Sequence, residues 1–375
     1  WNLNQQWGGD ITAYALMDNV TTTYYKVYGV VRDSNNITVP YARVLFPNGE
    51  TSTDNEGNYH FYINYILFNY SIPISIDTGG LTTKYTDTYI GNNIELNFQI
   101  NLPQFSKEKY DIKNTGYVPY SGSTSNNLLW SYTVNDPYEY GNKALTSSII
   151  DSVGRIIFGS ANAFLYYLNS NGSEAMIVSD VYGNPYQFGM AIDNAGYVYA
   201  ANSFLQGYNS WNGGTNDLSG SHDDFSGFIS IDSNNNLYYP VCVGCEGSWS
   251  VKKYNISGQY EEWEADYAYG KLSGVAISDD SVYFNNLDGF LNAIYRNNGT
   301  TKWSYESNPG YAYYDNVRTP SIDSSGNIIY VTIGDESILK NLYPDGTLNW
   351  EVVPDFANGL DFDGSVAIDQ DDNIY

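Results

Sequence analysis

The sequence has 375 residues, 42% of them hydrophobic, which is enough to build more than one domain with a buried core. Its formal charge is −26, and after residue 126 only 9 basic side chains accompany 31 acidic ones. This charge excludes nucleic acid as a partner, because phosphates are bound by lysine and arginine. No apolar run approaches the roughly 20 residues of a membrane-spanning helix, so no membrane span is predicted.

Residues 1–23 contain one strand-like stretch, ITAYALM, between polar segments. We predict an N-terminal strand segment that belongs either to a preceding domain or to the sheet of a partner. The chain starts at Trp1 without a methionine and stops at Tyr375 inside a repeat, which is expected of a processed chain or a fragment.

Residues 24–101 alternate apolar and polar positions in short runs separated by Asn, Asp, Gly and Pro, the pattern of a small β-sandwich. The stretches VYGVVRD, PYARVLF and TSTDNEGNYHF resemble the carboxypeptidase regulatory-like (transthyretin-like) sandwich, which has a Gly-containing first strand and a Thr-Asp-x-x-Gly-x-Tyr hairpin. The resemblance implies a spacer or adhesive module without an active site.

Residues 102–125 are rich in Pro, Gly, Ser and Lys, and we predict that they form a linker. Residues 126–375 are built from repeats, each with an Ile in its first strand, and the spacings between these positions are 42, 39, 46, 45 and 46 residues. A period of this length predicts four-stranded propeller blades. Six blade starts are visible, at Ile150, Ile192, Ile231, Ile277, Ile322 and Ile368.

Several repeats end in a strand that carries a tryptophan, at Trp263, Trp303 and Trp350. The stretch around Trp130 has the same pattern, so it is predicted to be the outer strand of a blade whose inner strands lie elsewhere. The fold class is therefore all-β: a small sandwich followed by a propeller with at least six blade starts and an incomplete last blade. The repeat resembles the quinoprotein-like (PQQ-like) propeller.

The quinoprotein resemblance implies a dehydrogenase with a quinone cofactor, calcium and a disulfide between adjacent cysteines. Here Cys242 and Cys245 are separated by two residues, and no position matches the catalytic base of that family. We therefore predict no cofactor and no catalytic residue. For the two cysteines, a local disulfide in an exported protein and two free thiols both remain open.

Calcium is the one metal that the sequence suggests. Aspartates recur after the first strand of most blades, at Asp151, Asp193, Asp232, Asp323 and Asp369, and a role in the turn is the expected explanation because it recurs. Denser acidic groups are the weak candidates, although none has a complete calcium loop. They are the EEWEAD stretch at 261–266 and Asp361, Asp363, Asp369, Asp371 and Asp372.

Only His60 and His222 are available for histidine-based acid–base chemistry. His60 is expected on the surface or the core edge of a sandwich strand. His222 precedes Asp223 and Asp224, a pairing that a catalytic dyad would use but that is more often part of a loop. No spacing selects a pair of carboxylates for glycoside hydrolysis.

Six Asn-x-Ser/Thr sequons occur, a number that chance alone would produce, and three of them fall in predicted outer turns of blades. The candidates for glycosylation are Asn19, Asn36, Asn69, Asn171, Asn255 and Asn298.

The hypothesis that fits these patterns best is a non-enzymatic extracellular structural protein: a subunit of a cell-surface filament, a surface layer or an adhesive appendage. Exposed strand edges predict self-association, by strand exchange or domain contacts, through residues 1–23 or the blade around Trp130. The alternatives are a propeller that binds a surface glycan or another ligand and, third, a quinoprotein-type or hydrolytic enzyme.

Overall fold

The computed structural model describes most of the chain after residue 23. The residues outside the described part are 1–23, 34–35, 37, 40–41, 48, 55, 65–70, 78–81, 91, 101–106, 108, 110, 117–126, 135–145, 180–188, 202–204, 210–212, 219–223, 226, 233, 243–247, 268–269, 308–317, 333–336, 356–361 and 363. The predicted N-terminal strand segment falls among these residues.

All the elements of the described residues are β-strands. They form two compact units, one built mainly from the first eight strands and the other from residue 99 onward. No helix in the described part of the chain has the length and apolar character needed to cross a membrane.

The first unit consists of two four-stranded sheets. Its strands are β1 Tyr24–Asp33, β2 Arg43–Phe46, β3 Gly49–Ser52, β4 Asn58–Asn64, β5 Ser71–Asp77, β6 Thr82–Tyr89, β7 Ile94–Glu95 and β8 Phe98–Ile100. One sheet has the order β4-β1-β7, with β8 also paired to β1, and the other has the order β3-β2-β5-β6. The inward faces meet where Phe46 stacks on Phe61, with ring centroids 4.5 Å apart, as the alternating pattern predicts.

The first strand of this unit requires glycine at one position. A Cβ on Gly29 would lie 1.9 Å from the carbonyl oxygen of Leu96, in the segment that leads from β7 to β8. The backbones are held this close because the amide of Leu96 donates to the carbonyl of Tyr28 at 2.8 Å. The glycine in the VYGVVRD stretch therefore permits close packing of backbone on backbone.

The described residues of the second unit form five sheets, one for each of the first five repeats. Their strands are β9 Ile149–Ile150, β10 Ile156–Gly159, β11 Phe164–Leu168 and β12 Glu174–Ser179; β13 Ala191–Ile192, β14 Tyr197–Ala201, β15 Leu205–Asn209 and β16 Thr215–Asp217; β17 Asp224–Phe225, β18 Ser230–Ile231, β19 Asn236–Cys242, β20 Trp249–Asn255 and β21 Tyr260–Tyr267; β22 Ala276–Ile277, β23 Ser281–Asn285, β24 Phe290–Tyr295 and β25 Thr301–Glu306; and β26 Ser321–Ile322, β27 Ile328–Val331, β28 Leu339–Leu342 and β29 Leu348–Val352.

Each of these sheets is an antiparallel blade, and we number them blades 1 to 5. The repeated isoleucines lie in the innermost strands, as predicted, and Trp263, Trp303 and Trp350 lie in the outermost ones. A sixth unit follows, in which the described residues form one bridge, between Ile368 and Ile374. The prediction of an all-β propeller with an incomplete last blade is confirmed.

The core of the propeller lies between successive blades. Each hydrophobic cluster takes residues from two neighbours; in blade 4, for example, Val282 packs toward blade 3 whereas Tyr283 packs toward blade 5. Adjacent residues of a strand point to opposite faces, so both faces of a blade are covered. This explains why inner strands such as β23 and β27 are buried along their whole length.

Candidate functional site

The channel segment, residues 107–116 with 108 and 110 outside the described part, runs along the innermost strands of the propeller. The backbone amides of Ile277, Ile322 and Ile368 donate to carbonyls of this segment at 2.7, 2.9 and 2.6 Å. Lys107, at its other end, bridges Ala191 of blade 2. Because the inner strands line the central channel, the segment occupies that channel and is bonded to four of the six units.

Asn114 anchors the C-terminal part of the channel segment. Its side chain is fully buried, and Nδ2 donates to the carbonyls of Val275 at 2.9 Å and Pro320 at 3.1 Å. Its own carbonyl accepts from the hydroxyl of Ser321 at 2.8 Å. One side chain therefore ties the segment to blades 4 and 5.

Charged side chains fold the channel segment on itself. Lys107 is 1% exposed and donates through Nζ to the side-chain oxygen of Asn114 and, at 3.0 Å, to the carbonyl of Asp111. The carboxylate of Asp111 accepts from the backbone amide of Thr115 at 3.0 Å and from its hydroxyl at 2.6 Å. The stretch predicted to be a linker thus contains an ordered part of the propeller interior.

We expect replacement of Asn114 by alanine to destabilise the propeller by about 2 kcal/mol, because it removes a buried donor from two carbonyls and an acceptor from Lys107. Urea unfolding followed by tryptophan fluorescence would measure this, since residues 24–101 contain no tryptophan. Asn93→Ala, which removes a side-chain acceptor in the sandwich, is the control that should leave the signal unchanged. An unaltered midpoint for Asn114→Ala would contradict the assigned role.

The repeated aspartates have one geometry. In each hairpin the aspartate Oδ1 accepts from the backbone amide four residues later, at 2.8 or 2.9 Å, as in Asp151, Asp193, Asp232, Asp323 and Asp369. The second oxygen is also bonded, for example to the hydroxyl of Tyr199 at 2.9 Å. Blade 4 uses the hydroxyl of Ser278 instead. These carboxylates therefore serve as acceptors within their own hairpins.

Two of the acidic residues considered as calcium ligands, Asp369 and Asp372, accept hydrogen bonds from neighbouring residues. Asp369 accepts from Asn373 and from Tyr375, and the bond from the Asn373 side chain holds the pKa of Asp369 below its ordinary value. Asp372 accepts from the amide of Ser324 at 2.9 Å. Asp371 is exposed, whereas Asp361 and Asp363 lie outside the described residues.

The EEWEAD stretch is β21, and lysines of β20 neutralise its glutamates. Lys252 lies 3.0 Å from Glu261 and 3.4 Å from Glu264, and Lys253 lies 2.6 Å from Glu262. Among the described residues no three His, Cys, Asp or Glu side chains gather as a metal site would require.

The remaining candidates do not come together. Cys242 is buried in β19, and Cys245 lies outside the described residues, so the disulfide stays a prediction. His60 is exposed on β4, whereas His222 also lies outside the described part. Of the sequons, Asn36 is exposed and has a positive φ of 67°, and Asn19 and Asn69 are outside the described residues.

A contact that the sequence analysis missed joins neighbouring blades at their outer ends. A tryptophan from one outer strand lies over a glycine in the third turn of the next blade and donates its indole N–H to a carbonyl of that turn at 2.9 or 3.0 Å. The pairs are Trp130 with Ser170 and Gly172, Trp263 with Arg296 and Gly299, and Trp303 with Pro344 and Gly346. A Cβ on these glycines would come within 2.6 to 2.8 Å of the ring.

Residues 127–134 supply the tryptophan of such a contact without forming a strand of a described blade. Trp130 docks on blade 1, as the outer strand of a preceding blade would, and the hydroxyl of Tyr132 donates to Glu174 at 2.7 Å. No strand of the described residues pairs with this stretch. Leu128 and Leu129 are 82% and 89% exposed, so the edge is both apolar and open.

The propeller is similar in fold to the quinohemoprotein alcohol dehydrogenase ADHIIG of Pseudomonas putida HK5, with a TM-score of 0.54 and 13% identity. The match covers 67% of this chain and 48% of that one, so the chain spans about half of the enzyme's length. A computationally designed protein, Ika8, matches at a TM-score of 0.38 with 12% identity over 52% of this chain and 54% of that one. We draw no conclusion from a likeness this weak. No family model and no curated protein matches the sequence. The repeat region thus shares a propeller fold with that enzyme, and this likeness concerns the fold alone.

The quinone cofactor and calcium of that enzyme class can be tested against the channel. The backbone amides of Ile277, Ile322 and Ile368 are bonded to carbonyls of the channel segment, and the side-chain amide of Asn114 is bonded to blades 4 and 5. The repeated aspartates accept within their hairpins, and Asp232 also accepts from Arg296 of blade 4. On the side of blade 4, blade 5 and the sixth unit, these channel-facing groups of the described residues are therefore already bonded within the chain.

Proposed function

We propose that this protein is a non-enzymatic structural protein of the cell exterior, a subunit of a filament, a surface layer or an adhesive appendage. The main support for the proposal is that the channel segment occupies the central channel. A propeller that binds small molecules needs a concave site with a few unpaired polar groups. Here the backbone of the chain itself fills that place and uses those groups to join the blades.

The proposal extends to assembly by strand addition. The stretch 127–134 carries an exposed apolar edge, and the bonds that join it to blade 1 among the described residues come from the side chains of Trp130 and Tyr132. Edges of this kind template pairing with another chain unless they are covered. The sandwich, through its resemblance to carboxypeptidase regulatory-like modules, would act as a spacer between such contacts, and surface glycans are a further candidate partner.

Electron microscopy and mass determination of the intact protein, with and without a chelator, test this proposal. Ordered filaments or sheets are the expected result. If they persist in the presence of the chelator, assembly does not require calcium. A discrete monomer at all concentrations would contradict the proposal and favour a ligand-binding or enzymatic propeller.

A pair of variants tests the edge itself. Leu129→Lys places a charge on the open edge and is expected to abolish assembly without changing the unfolding midpoint, because charged side chains block edge-to-edge pairing. Leu348→Lys is the control, since Leu348 is 42% exposed in the outer strand of a complete blade. Equal loss of assembly in both variants would show that the edge has no special role.

The second candidate is a quinoprotein-type enzyme, favoured by the likeness in fold to an alcohol dehydrogenase. It predicts that the purified protein, given pyrroloquinoline quinone and calcium, gains a bound-cofactor absorbance and oxidises an alcohol. The occupied channel argues against this outcome, and the same experiment would reverse our preference if it succeeded.

A further inference from the structure

Two of the blade sequons lie in turns of the same construction. Asn171 follows β11 and Asn298 follows β24, each with glycine and then Ser or Thr after it. The Oδ1 atom of Asn171 accepts from the amide of Ser173 at 3.0 Å and from its hydroxyl at 2.7 Å. Asn298 makes the same two bonds to Thr300, at 3.1 and 2.8 Å. Both asparagines are exposed.

Blade 5 shows what this turn needs from its first residue. There Asp345 replaces asparagine, and its Oδ1 accepts from the amide of Thr347 at 3.0 Å and from its hydroxyl at 2.6 Å. Trp303 docks on this turn as other tryptophans dock on the two asparagine turns. A carboxylate has no amide nitrogen, so the turn and the docking require only the oxygen. The Nδ2 atoms of Asn171 and Asn298 are surplus to the fold.

Asn255 is the contrasting case. It is the last residue of β20 and only partly exposed. Its Nδ2 donates to a carboxylate oxygen of Glu262 at 3.0 Å, while its Oδ1 accepts from the amide of Gly258 at 2.7 Å. A substituent on this nitrogen takes one of its two hydrogens and adds bulk beside the hydrogen bond that joins β20 to β21, so it would disturb that bond.

We infer that Asn171 and Asn298 are sites of N-linked glycan attachment in the folded protein and that Asn255 is not. The sugar donor is a lipid phosphate-linked oligosaccharide. The asparagine Nδ2 forms a bond to the anomeric carbon and gives up a proton to a base, while the bond from that carbon to the phosphate oxygen breaks and its electrons leave with the lipid phosphate. Neither turn loses a hydrogen bond that the fold uses.

The inference agrees with the proposed extracellular location, but its test needs neither export nor assembly. The full chain, produced without glycans, is incubated with a single-subunit oligosaccharyltransferase and a lipid-linked oligosaccharide, once folded and once denatured, and each sequon is then quantified by peptide mass spectrometry. In the denatured chain all three sites should accept glycan. In the folded chain Asn255 should fall behind Asn171 and Asn298 by about fivefold, the factor that one net hydrogen bond of about 1 kcal/mol is worth.

Matched variants make the result specific. Asn171→Asp and Asn298→Asp copy the turn of blade 5, so each should abolish modification at its own site and leave the unfolding midpoint unchanged. The inference is overturned if Asn255 accepts glycan in the folded chain as fast as the other two. Failure of Asn171 or Asn298 to accept it, in either state, also overturns the inference. These results are independent of whether the protein forms filaments.

Discussion

Gly227→Ala is expected to destabilise the propeller by at least about 3 kcal/mol, because it combines overpacking with a left-handed backbone that alanine disfavours. Gly227 has a φ of +69°, and a Cβ there would lie 2.1 Å from the backbone nitrogen of Gly274 and 2.6 Å from the carbonyl carbon of Ser273. Both atoms belong to the chain entering blade 4, so no side-chain rotation can relieve the clash. Urea unfolding followed by tryptophan fluorescence would give the loss.

Gly364→Ala is the matched control. Gly364 has the same place relative to Ile368 that Gly227 has relative to Ile231, but no described atom lies within 4 Å of the position of its Cβ. The variant should unfold at the same urea concentration as the parent protein. If Gly227→Ala were as stable as Gly364→Ala, the close approach of blades 3 and 4 would be wrong. If both variants lost the same free energy of unfolding, Gly364 would also pack closely against another part of the chain.

Asp232→Asn is expected to cost about 3 to 5 kcal/mol, because it leaves a largely buried guanidinium without its counter-charge. Arg296 reaches from blade 4 to blade 3, where its Nη2 lies 2.7 Å from Oδ2 of Asp232 and its Nε lies 3.1 Å from the hydroxyl of Tyr238. The side chain of Asp232 is 1% exposed and that of Arg296 is 17% exposed. An unfolding midpoint within error of the parent protein would refute a stabilising role for the pair.

Asp193→Asn, at the same turn position of blade 2, should behave differently. Burial raises the pKa of Asp193 above its ordinary 3.8, and the second oxygen faces the hydroxyl of Tyr199, which can donate or accept. A carboxyl whose pKa is raised by folding stabilises most at low pH and loses that contribution as the pH rises through the folded-state pKa. Relative to the parent protein, Asp193→Asn should therefore gain stability between pH 3 and pH 7. A change in the opposite direction would contradict this assignment.

The propeller could be predicted from the sequence because its blades repeat the same physical solution. Each first strand needs an apolar residue such as Ile277, and each following hairpin needs an acceptor such as Asp323, so both recur at nearly constant spacing. The tryptophans marked outer strands for the same reason. The contact between tryptophan and turn glycine could have been found as well, because both residues recur together: Trp303 and Trp350 each follow a turn glycine by four residues.

The channel segment could not be predicted, because its bonds to the blades use mainly backbone atoms. The carbonyls of Ile112, Lys113 and Thr115 accept from inner-strand amides, and any residue carries such a carbonyl. Its Lys and Gly content is that of an ordinary linker, and Asn114 reveals its role only when blades 4 and 5 are in place. The neutralised glutamates of β21 likewise depend on the register with Lys252, which composition does not reveal.

The channel segment also changes how the molecule should fold and unfold. A plain repeat array is stabilised by nearest neighbours, so its units can fray one at a time from an end. Here Lys109 reaches a carbonyl 257 residues later in the chain, and one ten-residue stretch is bonded to units as far apart as blade 2 and the sixth. Because this stretch precedes every blade in the sequence, it leaves the ribosome first and is present as each later blade forms. We therefore expect the blades to open together, in one cooperative transition, rather than to peel from the sixth unit inward.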